Sequence, residues 1–265
     1  MDDKHLVAVR VARRAARAWA WALGARPERT VLDLDSTLVT SHSEKEGAAA
    51  THKRGFGFHP IVCVCGGEPL AATLRPGNAG ANTAADHISV LIDALDQLPE
   101  GVREDRDTRI LVRTRLRGCT HAFLDAVSEM GLSFSVSMPI DEAARQAILD
   151  IPEMAWTAAR RQDNEEKDGA WVTELRDLDV TGWPEGSRVI CRRERPHPGA
   201  QLRFTDIDGH RFQLMLTNET GEPAIFGESQ GFEPTRGSWA HVSETVIAID
   251  HNWFGRIERG GRHGV

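Results

Sequence analysis

Asp33 and Asp35 are the residues whose type and spacing most directly suggest chemistry. They lie two apart within the β-rich stretch that runs from Thr30 to Val39. On a strand, residues two apart project from the same face, about 7 Å from each other, so both carboxylates could serve one site. Hard cations such as Mg²⁺ bind carboxylates with water and phosphate oxygens, and such sites support phosphoryl transfer. The alternative is an acid pair at a strand end that caps the following loop.

The elements that would position these acids follow an α/β pattern. Gly66-Gly67 marks a turn between two short strands that follow the acidic one, which predicts an antiparallel unit of three strands. Helices and strands then alternate, and this order predicts a mixed sheet flanked by helices. The predicted strands are 30–39, 58–64, 70–74, 110–114 and 132–138, and the predicted helices are 83–98 and 121–130.

After this core the periodicity changes to that of strands. Strands are predicted at 171–175, 188–193, 202–205 and 211–217, with an Asp208-Gly209 hairpin turn before the last. We interpret this stretch as a β-rich insertion and not as a second domain. The predicted organisation is an N-terminal helix at 1–27, a catalytic core at 28–150, the insertion at 151–220 and an irregular tail at 221–265.

Composition limits the class of protein. A chain of 265 residues with 40% hydrophobic and 27% charged residues is long enough for one large globular core. The net charge of −7 argues against a uniformly basic nucleic-acid coat but leaves room for local basic patches. Without a Cys-x-x-Cys pair, Cys63, Cys65, Cys119 and Cys191 are expected to be free thiols in a cytoplasmic protein.

The N-terminal helix combines apolar residues with a row of arginines. Arg10, Arg13, Arg14 and Arg17 share one helix face, and Gly24 and Pro27 are expected to end the helix. Four charges are too many for a membrane-spanning helix. The row is expected to be solvated or, as the alternative, to contact DNA.

Two family resemblances involve the acid pair. Asp33-x-Asp35-x-Thr37 is similar to the opening motif of haloacid dehalogenase phosphohydrolases, which implies Asp33 as nucleophile and Asp35 as general acid. We find neither the downstream lysine nor the closing acidic motif that this superfamily requires. A more extensive resemblance is to the DDE transposases of bacterial insertion sequences, over about residues 15 to 220. It is carried by the blocks 33–39 (DLDSTLV), 43–47 (SEKEG), 55–60 (GFGFHP), 74–79 (LRPGNA), 82–87 (NTAADH) and 192–202 (RRERPHPGAQL).

The transposase resemblance implies a ribonuclease H-like fold and metal-dependent DNA cleavage and strand transfer with Mg²⁺. Asp35 corresponds to the first metal-binding acid. The second acid is expected after Arg113-Thr114, where this chain has Arg115, and we find no residue for the third. A guanidinium in place of a metal ligand reverses the local charge, so we expect a catalytically defective copy. The chain begins close to the catalytic domain, so an N-terminal DNA-binding region is also expected to be missing.

Candidate DNA contacts are basic residues outside the acidic strand. Lys53 and Arg54 precede a glycine-rich turn, and Arg192, Arg193 and Arg195 lie on the insertion, where they could neutralise phosphates. A solvated edge strand is the alternative for the second group. The expected partners are DNA at transposon ends and a second copy in a homodimer, with nucleoid association if DNA is bound. The other functional hypotheses are the phosphohydrolase and a non-catalytic DNA-binding remnant.

Overall fold

The computed structural model describes residues 3–41, 45–80, 83–105, 109–114, 118–160, 165–196, 199–201 and 206–221. These residues form two compact units. One comprises the described residues of Met1–Ile110, and the other comprises those from Leu111 onwards. The predicted core at 28–150 therefore contributes residues to both units, and the four-part organisation proposed from sequence stays a prediction.

The first unit contains three antiparallel strands in the order β6-β5-β1, as predicted, and a separate small sheet in the order β2-β4-β3. A two-residue turn at Gly66-Gly67, with φ of 56° and 83°, joins β5 to β6. The elements are α1 (Asp3–Ala20), β1 (Val31–Ser36), β2 (Val39–Thr40), β3 (Ala49–Ala50), β4 (Phe56–Phe58), β5 (Ile61–Cys65), β6 (Glu68–Thr73) and α2 (Ala84–Leu95).

Apolar and acidic side chains alternate along β1, so the leucines and the aspartates lie on opposite faces of the strand. Leu32 and Leu34 are 0% and 1% exposed, whereas Asp33 and Asp35 between and after them are half-buried. Helix α2 contributes a buried apolar face to the same unit, consisting of Val90, Leu91, Ala94 and Leu95. The period of two in β1 therefore gives a strand with one apolar face and one acidic face.

The arginines of the α1 row bind acceptors within the first unit, although Arg14 is exposed and Arg10 and Arg13 are partly exposed. The side chain of Arg17 is 2% exposed and forms a two-pronged ion pair with Glu68, at 2.9 Å from Nε to Oε2 and 2.6 Å from Nη2 to Oε1. Its Nη1 donates to the carbonyl of Gln97. The other three bind Pro69 O (Arg13, 2.6 Å), the Asp93 carboxylate (Arg10, 2.9 Å) and Leu98 O (Arg14, 3.2 Å). Spacing on a helix identified the shared face, but only the fold supplied these acceptors.

The second unit contains a mixed sheet in the order β7-β8-β12-β11-β10-β9. Strands β7 and β8 are parallel and joined through α3, while the other neighbouring pairs are antiparallel. Strand β12, from the predicted insertion, pairs directly with β8 from the predicted core. The elements are β7 (Leu111–Thr114), α3 (His121–Glu129), β8 (Ser133–Met138), α4 (Glu142–Leu149), β9 (Thr157–Arg160), β10 (Glu166–Leu175), β11 (Arg188–Glu194) and β12 (Arg211–Thr217).

The predicted α/β class is confirmed, because the chain is a mixed α/β protein with helices flanking a mixed sheet. Sequence reasoning missed the short strands β3 and β9 and helix α4, whose Asp141 cap accepts from the Ala144 amide at 2.8 Å. The predicted strand at 202–205 and the predicted irregular tail lie outside the described residues. Within the described ranges, no helix is long and apolar enough to cross a membrane.

Candidate active site

Asp33 and Asp35 project from the same face of β1, as the sequence predicts. In the register with β5 they lie opposite Val64 and Val62. The backbone amide of Ser36 donates to Asp35 Oδ1 at 2.9 Å, so the carboxylate is held against the end of its own strand. The two acids are therefore neighbours on one half-buried surface at the end of β1.

The chain leaving β1 is fixed by contacts to one of the other sequence blocks that carried the transposase resemblance. The Thr37 amide donates to the carbonyl of Pro60 at 3.3 Å, and the Ser41 amide donates to that of Phe56 at 2.9 Å. Ser36 pairs with Ile61 in the strand register. The block 55–60 therefore runs alongside the segment that follows Asp35.

Gly57 and Gly77 let two backbones approach closely beside this segment. A Cβ atom on Gly57, whose φ is 155°, would lie 2.0 Å from the carbonyl oxygen of Val39. A Cβ atom on Gly77 would lie 2.4 Å from the carbonyl oxygen of Ala49, and the Gly77 amide donates to the Gly57 carbonyl at 2.9 Å. Glycine is required at both positions because no side chain fits.

Arg75 is the residue at this site that sequence reasoning missed. It is 5% exposed, and its Nε donates to the carbonyl of His59 at 3.0 Å. Its Nη1 donates to the carbonyl of Gly80 at 2.8 Å and to Asp86 Oδ2 at 3.0 Å. The only sequence signal was its position in the block 74–79, which gave no role. Three separated blocks thus converge on one guanidinium.

The histidines beside these blocks are held by backbone carbonyl groups. His87 Nδ1 lies 2.9 Å from the carbonyl of Thr83, and burial lowers the pKa of His87, so the ring is neutral at pH 7. His59 Nδ1 lies 3.3 Å from the carbonyl of Ala79. In the second unit, His121 Nδ1 lies 2.9 Å from the carbonyl of Gly182.

The predicted cations Lys53 and Arg54 lie in an exposed turn between β3 and β4. Arg54 has φ 62°, and the Thr51 amide donates to the Gly55 carbonyl at 2.8 Å to close the turn. The turn leads directly into β4, which lies beside the segment following Asp35. Both side chains are therefore presented to solvent on the same unit as the acid pair.

The three insertion arginines occupy different environments in the second unit. Arg192 is 5% exposed and binds Glu194 at 2.7 Å. Arg195, one residue beyond the end of β11, is exposed, and its guanidinium lies 5.2 Å from the centre of the Trp171 ring. Of the three, Arg195 is the most accessible cation.

Arg193 is sandwiched between aromatic rings. Its guanidinium lies 4.4 Å from the centre of the Trp156 ring and 5.0 Å from that of Trp171. Both of its terminal nitrogens bind the Glu153 carboxylate, and these hydrogen bonds lower the pKa of Glu153. Stacking on aromatic faces and bidentate pairing both favour arginine at this position over lysine.

The described side chains do not match the donor set of the Mg²⁺ site that the transposase resemblance implies. Among the described residues, no cluster of three or more His, Cys, Asp or Glu side chains is arranged to hold a metal ion. Arg115, where the resemblance expects the second acid, lies outside the described residues, but its type is fixed by the sequence. The described donors are thus the two carboxylates of β1, which alone do not fit a magnesium site.

The thiols do not supply alternative ligands. Burial raises the pKa of Cys65 and of Cys119 to about 11 and that of Cys191 to about 12. Burial, reinforced by the charge of Asp33, raises the pKa of Cys63 further above its usual range. All four are free and protonated at neutral pH, as the sequence predicts for structural thiols.

A cavity of about 810 Å³ lies within the second unit. Ile151 and Leu175 line its apolar side, and the ion pair of Arg188 with Glu174, at 2.8 Å, lines its polar side. None of the residues predicted from sequence to act in catalysis or DNA binding lines it. The cavity is therefore unconnected with the predicted site residues.

One family model and several solved structures are similar to this chain. The family model described as transposase DDE domain group 1 matches residues 4–223. None of the curated proteins shows significant sequence similarity. Among solved structures, the piggyBac transposase synaptic complex with hairpin DNA is similar at 10% identity and a TM-score of 0.45, over 92% of this chain and 48% of that one.

The catalytic domain of Mos1 mariner transposase is similar at 11% identity and a TM-score of 0.32, over 56% of this chain and 66% of that one. The same domain solved with raltegravir and Mn is similar at 12% identity and a TM-score of 0.31, over 52% and 62% of the two chains. This chain thus spans about half the length of the piggyBac protein. On the family match over most of its length, the chain belongs to the transposase DDE domain group 1 family.

Proposed function

We propose that this chain is a transposase DDE domain that binds DNA through a few exposed cations but does not cleave it. The observation that carries the proposal is a family match over residues 4–223 combined with arginine at position 115, where the family resemblance calls for the second acid. The family supplies DNA transposition as the activity to which the fold is suited. The change of residue type removes the chemistry of cleavage.

The sign of the charge at position 115 is unfavourable for cleavage. A two-metal site needs several anionic ligands to hold two dications near phosphate oxygens. Aspartate at position 115 would contribute one negative charge, whereas Arg115 contributes a positive one. A cation close to a dication is strongly unfavourable in a partly desolvated site. The pair Asp33 and Asp35 therefore remains as the anionic part of an incomplete site, and we derive no reaction step through a metal.

The proposed direct DNA contacts are Lys53, Arg54 and Arg195. All three are exposed, which phosphate contact requires. Arg192 and Arg193 are assigned a supporting role, because Glu194 and Glu153 already bind their guanidinium groups. They hold the end of β11 from which Arg195 projects. Contacts of this kind give affinity without sequence preference.

The test is the salt dependence of binding to a labelled duplex, followed by fluorescence anisotropy. Three phosphate contacts predict a slope of about −2.7 in a plot of log K against log salt concentration, from about 0.9 per contact. The matched control is Arg145→Ala, which removes a 49%-exposed arginine of α4 that the proposal leaves out. Binding that does not weaken with added salt contradicts the proposal.

The same protein preparation distinguishes the phosphohydrolase hypothesis from the DNA-binding proposal. It requires hydrolysis of a small phosphate ester that is lost in Asp33→Ala, with no affinity for DNA. Self-association remains a prediction, which sedimentation equilibrium would measure.

A further inference from the structure

Among the described residues of the first unit, Arg17 and Arg75 are the two buried arginines, and their partners differ. Arg17 is 4% exposed and binds Glu68 and the Gln97 carbonyl, which ties α1 to β6 and to the residues that follow α2. Arg75 is 5% exposed and binds loop carbonyls beside the end of β1. Removing an arginine from water is costly, so its contacts indicate what it stabilises.

The contacts of Arg75 form a short path to the acid pair. Arg75 and His59 exchange two hydrogen bonds, from Arg75 Nε to the His59 carbonyl at 3.0 Å and from the His59 amide to the Arg75 carbonyl at 2.8 Å. The next residue, Pro60, has a fixed φ and accepts from the Thr37 amide at 3.3 Å. Thr37 follows Ser36, whose amide binds Asp35 Oδ1 at 2.9 Å. Each step is an adjacent residue or a single hydrogen bond.

The opposite end of the guanidinium is anchored on a helix. Nη1 binds Asp86 Oδ2 at 3.0 Å, and Asp86 is in the first turn of α2. Carboxylates are favourable in the first turn of a helix, so this acid is well placed to hold a cation. The same Nη1 donates to the Gly80 carbonyl at 2.8 Å. Arg75 thus links α2 to the loop that follows β4.

The chemistry of these contacts requires the planar fork of arginine. Nε and Nη1 donate in fixed directions to three acceptors, which the single ammonium of lysine cannot reach together. Among the described residues, Arg75 Nη2 has no hydrogen-bond acceptor, although it is buried. A buried donor left unsatisfied costs roughly 1–3 kcal/mol.

We propose that Arg75 is a positioning residue that, through His59, Pro60 and Thr37, fixes the backbone after β1 and so the orientation of the Asp35 carboxylate. The chemical importance of that carboxylate rests on the proposed function. The positioning itself does not, because the reporters of the path are the amides of Ser36 and Thr37. Arg75 acts through other residues and makes no contact with DNA in this proposal.

The test compares Arg75→Lys with the matched control Arg17→Lys in ¹⁵N-labelled protein. Each variant keeps the charge and removes the fork of one buried arginine in the same unit. In Arg75→Lys we expect Thr37 amide hydrogen exchange to accelerate by on the order of tenfold relative to the amides of β5 and β6, and the Ser36 amide resonance to shift. In Arg17→Lys we expect no such selective change.

A milder variant, Asp86→Asn, keeps an oxygen acceptor while removing the charge that anchors Nη1. We expect Asp86→Asn to accelerate Thr37 amide exchange and to shift the Ser36 amide resonance by smaller amounts than Arg75→Lys does. This variant replaces Arg75→Lys in the test if Arg75→Lys does not fold. Unchanged Ser36 and Thr37 amides in both variants overturn the proposal. So does an equal acceleration of all amides in the unit. None of these measurements involves DNA, so failure here is distinguishable from failure of the proposed function.

Discussion

Arg75 and His59 are joined by two reciprocal hydrogen bonds, one through the guanidinium and one through the backbone, at 3.0 and 2.8 Å. The pair joins two sequence blocks that contribute no acid of their own. The loops beside β1 are therefore held together by specific hydrogen bonds close to the acid pair.

Substitution of Gly77 tests the close packing of those loops. In Gly77→Ala the new Cβ would meet the Ala49 and Gly57 carbonyl oxygens, at 2.4 and 2.7 Å. We expect a loss of roughly 1–3 kcal/mol in the free energy of unfolding, because backbone atoms must move. The control is Gly80→Ala in the same loop, whose nearest contact would be Thr83 Oγ1 at 3.5 Å. Equal stability of the two variants in urea denaturation would refute this packing.

Replacement of Arg17 tests the docking of α1. We expect Arg17→Met to lower the free energy of unfolding by roughly 2–4 kcal/mol, because it removes a buried bidentate pair and leaves the Gln97 carbonyl unsatisfied. The comparison is Arg10→Met, whose ion pair with Asp93 has side chains 44% and 39% exposed. That pair is worth less than about 1 kcal/mol. Similar losses of unfolding free energy in both variants would mean that burial does not determine how much each arginine of α1 stabilises the protein.

The ion pair of Arg17 with Glu68 makes the free energy of unfolding depend on pH. Burial alone would raise the pKa of Glu68, but hydrogen bonds and charge from Arg17 outweigh it and hold the pKa below its ordinary value of 4.5. The folded state then binds fewer protons than the unfolded chain, so the contribution is present above pH 4.5 and is lost as the pH falls below it. We expect the stability difference between the native protein and Glu68→Gln to shrink over that range. A difference that grows on acidification would contradict this reading.

The elements that could be predicted from sequence are those whose determinants are local. The alternation of Leu32 to Asp35 and the paired glycines at 66–67 predicted the acidic strand and its hairpin, and both are present. The role of Arg75 could not be predicted, because its acceptors come from three separate segments that only the fold brings together. The same holds for Arg193, whose spacing suggested a DNA contact but whose guanidinium binds Glu153 between two tryptophans.

The proposed DNA contacts are tested by single substitutions. We expect Arg195→Ala, and separately Lys53→Ala, each to reduce the magnitude of the salt slope of DNA binding by about 0.9, because each removes one phosphate contact. Arg193→Lys is expected to act indirectly, with a change in the near-ultraviolet circular dichroism of the tryptophans it stacks on. Salt slopes that match that of Arg145→Ala in all of these variants would remove these residues from the interface.

Replacement of Arg115 by aspartate tests the proposal that this arginine prevents cleavage. We expect Arg115→Asp to raise the affinity for Mn²⁺, measured by calorimetry, by on the order of tenfold or more, because a repulsive cation becomes a ligand. The gain is expected to disappear in the double variant Arg115→Asp with Asp35→Asn. A gain that survives the loss of Asp35 would mean that the ion binds elsewhere.

The central claim is that this DDE domain binds DNA without cutting it. The most direct measurement is incubation of the protein with an end-labelled duplex at low salt, with Mg²⁺ or Mn²⁺, followed by separation on native and denaturing gels. We predict a shifted complex on the native gel and intact strands on the denaturing gel. Metal-dependent strand cleavage that is abolished by Asp35→Asn would contradict the account.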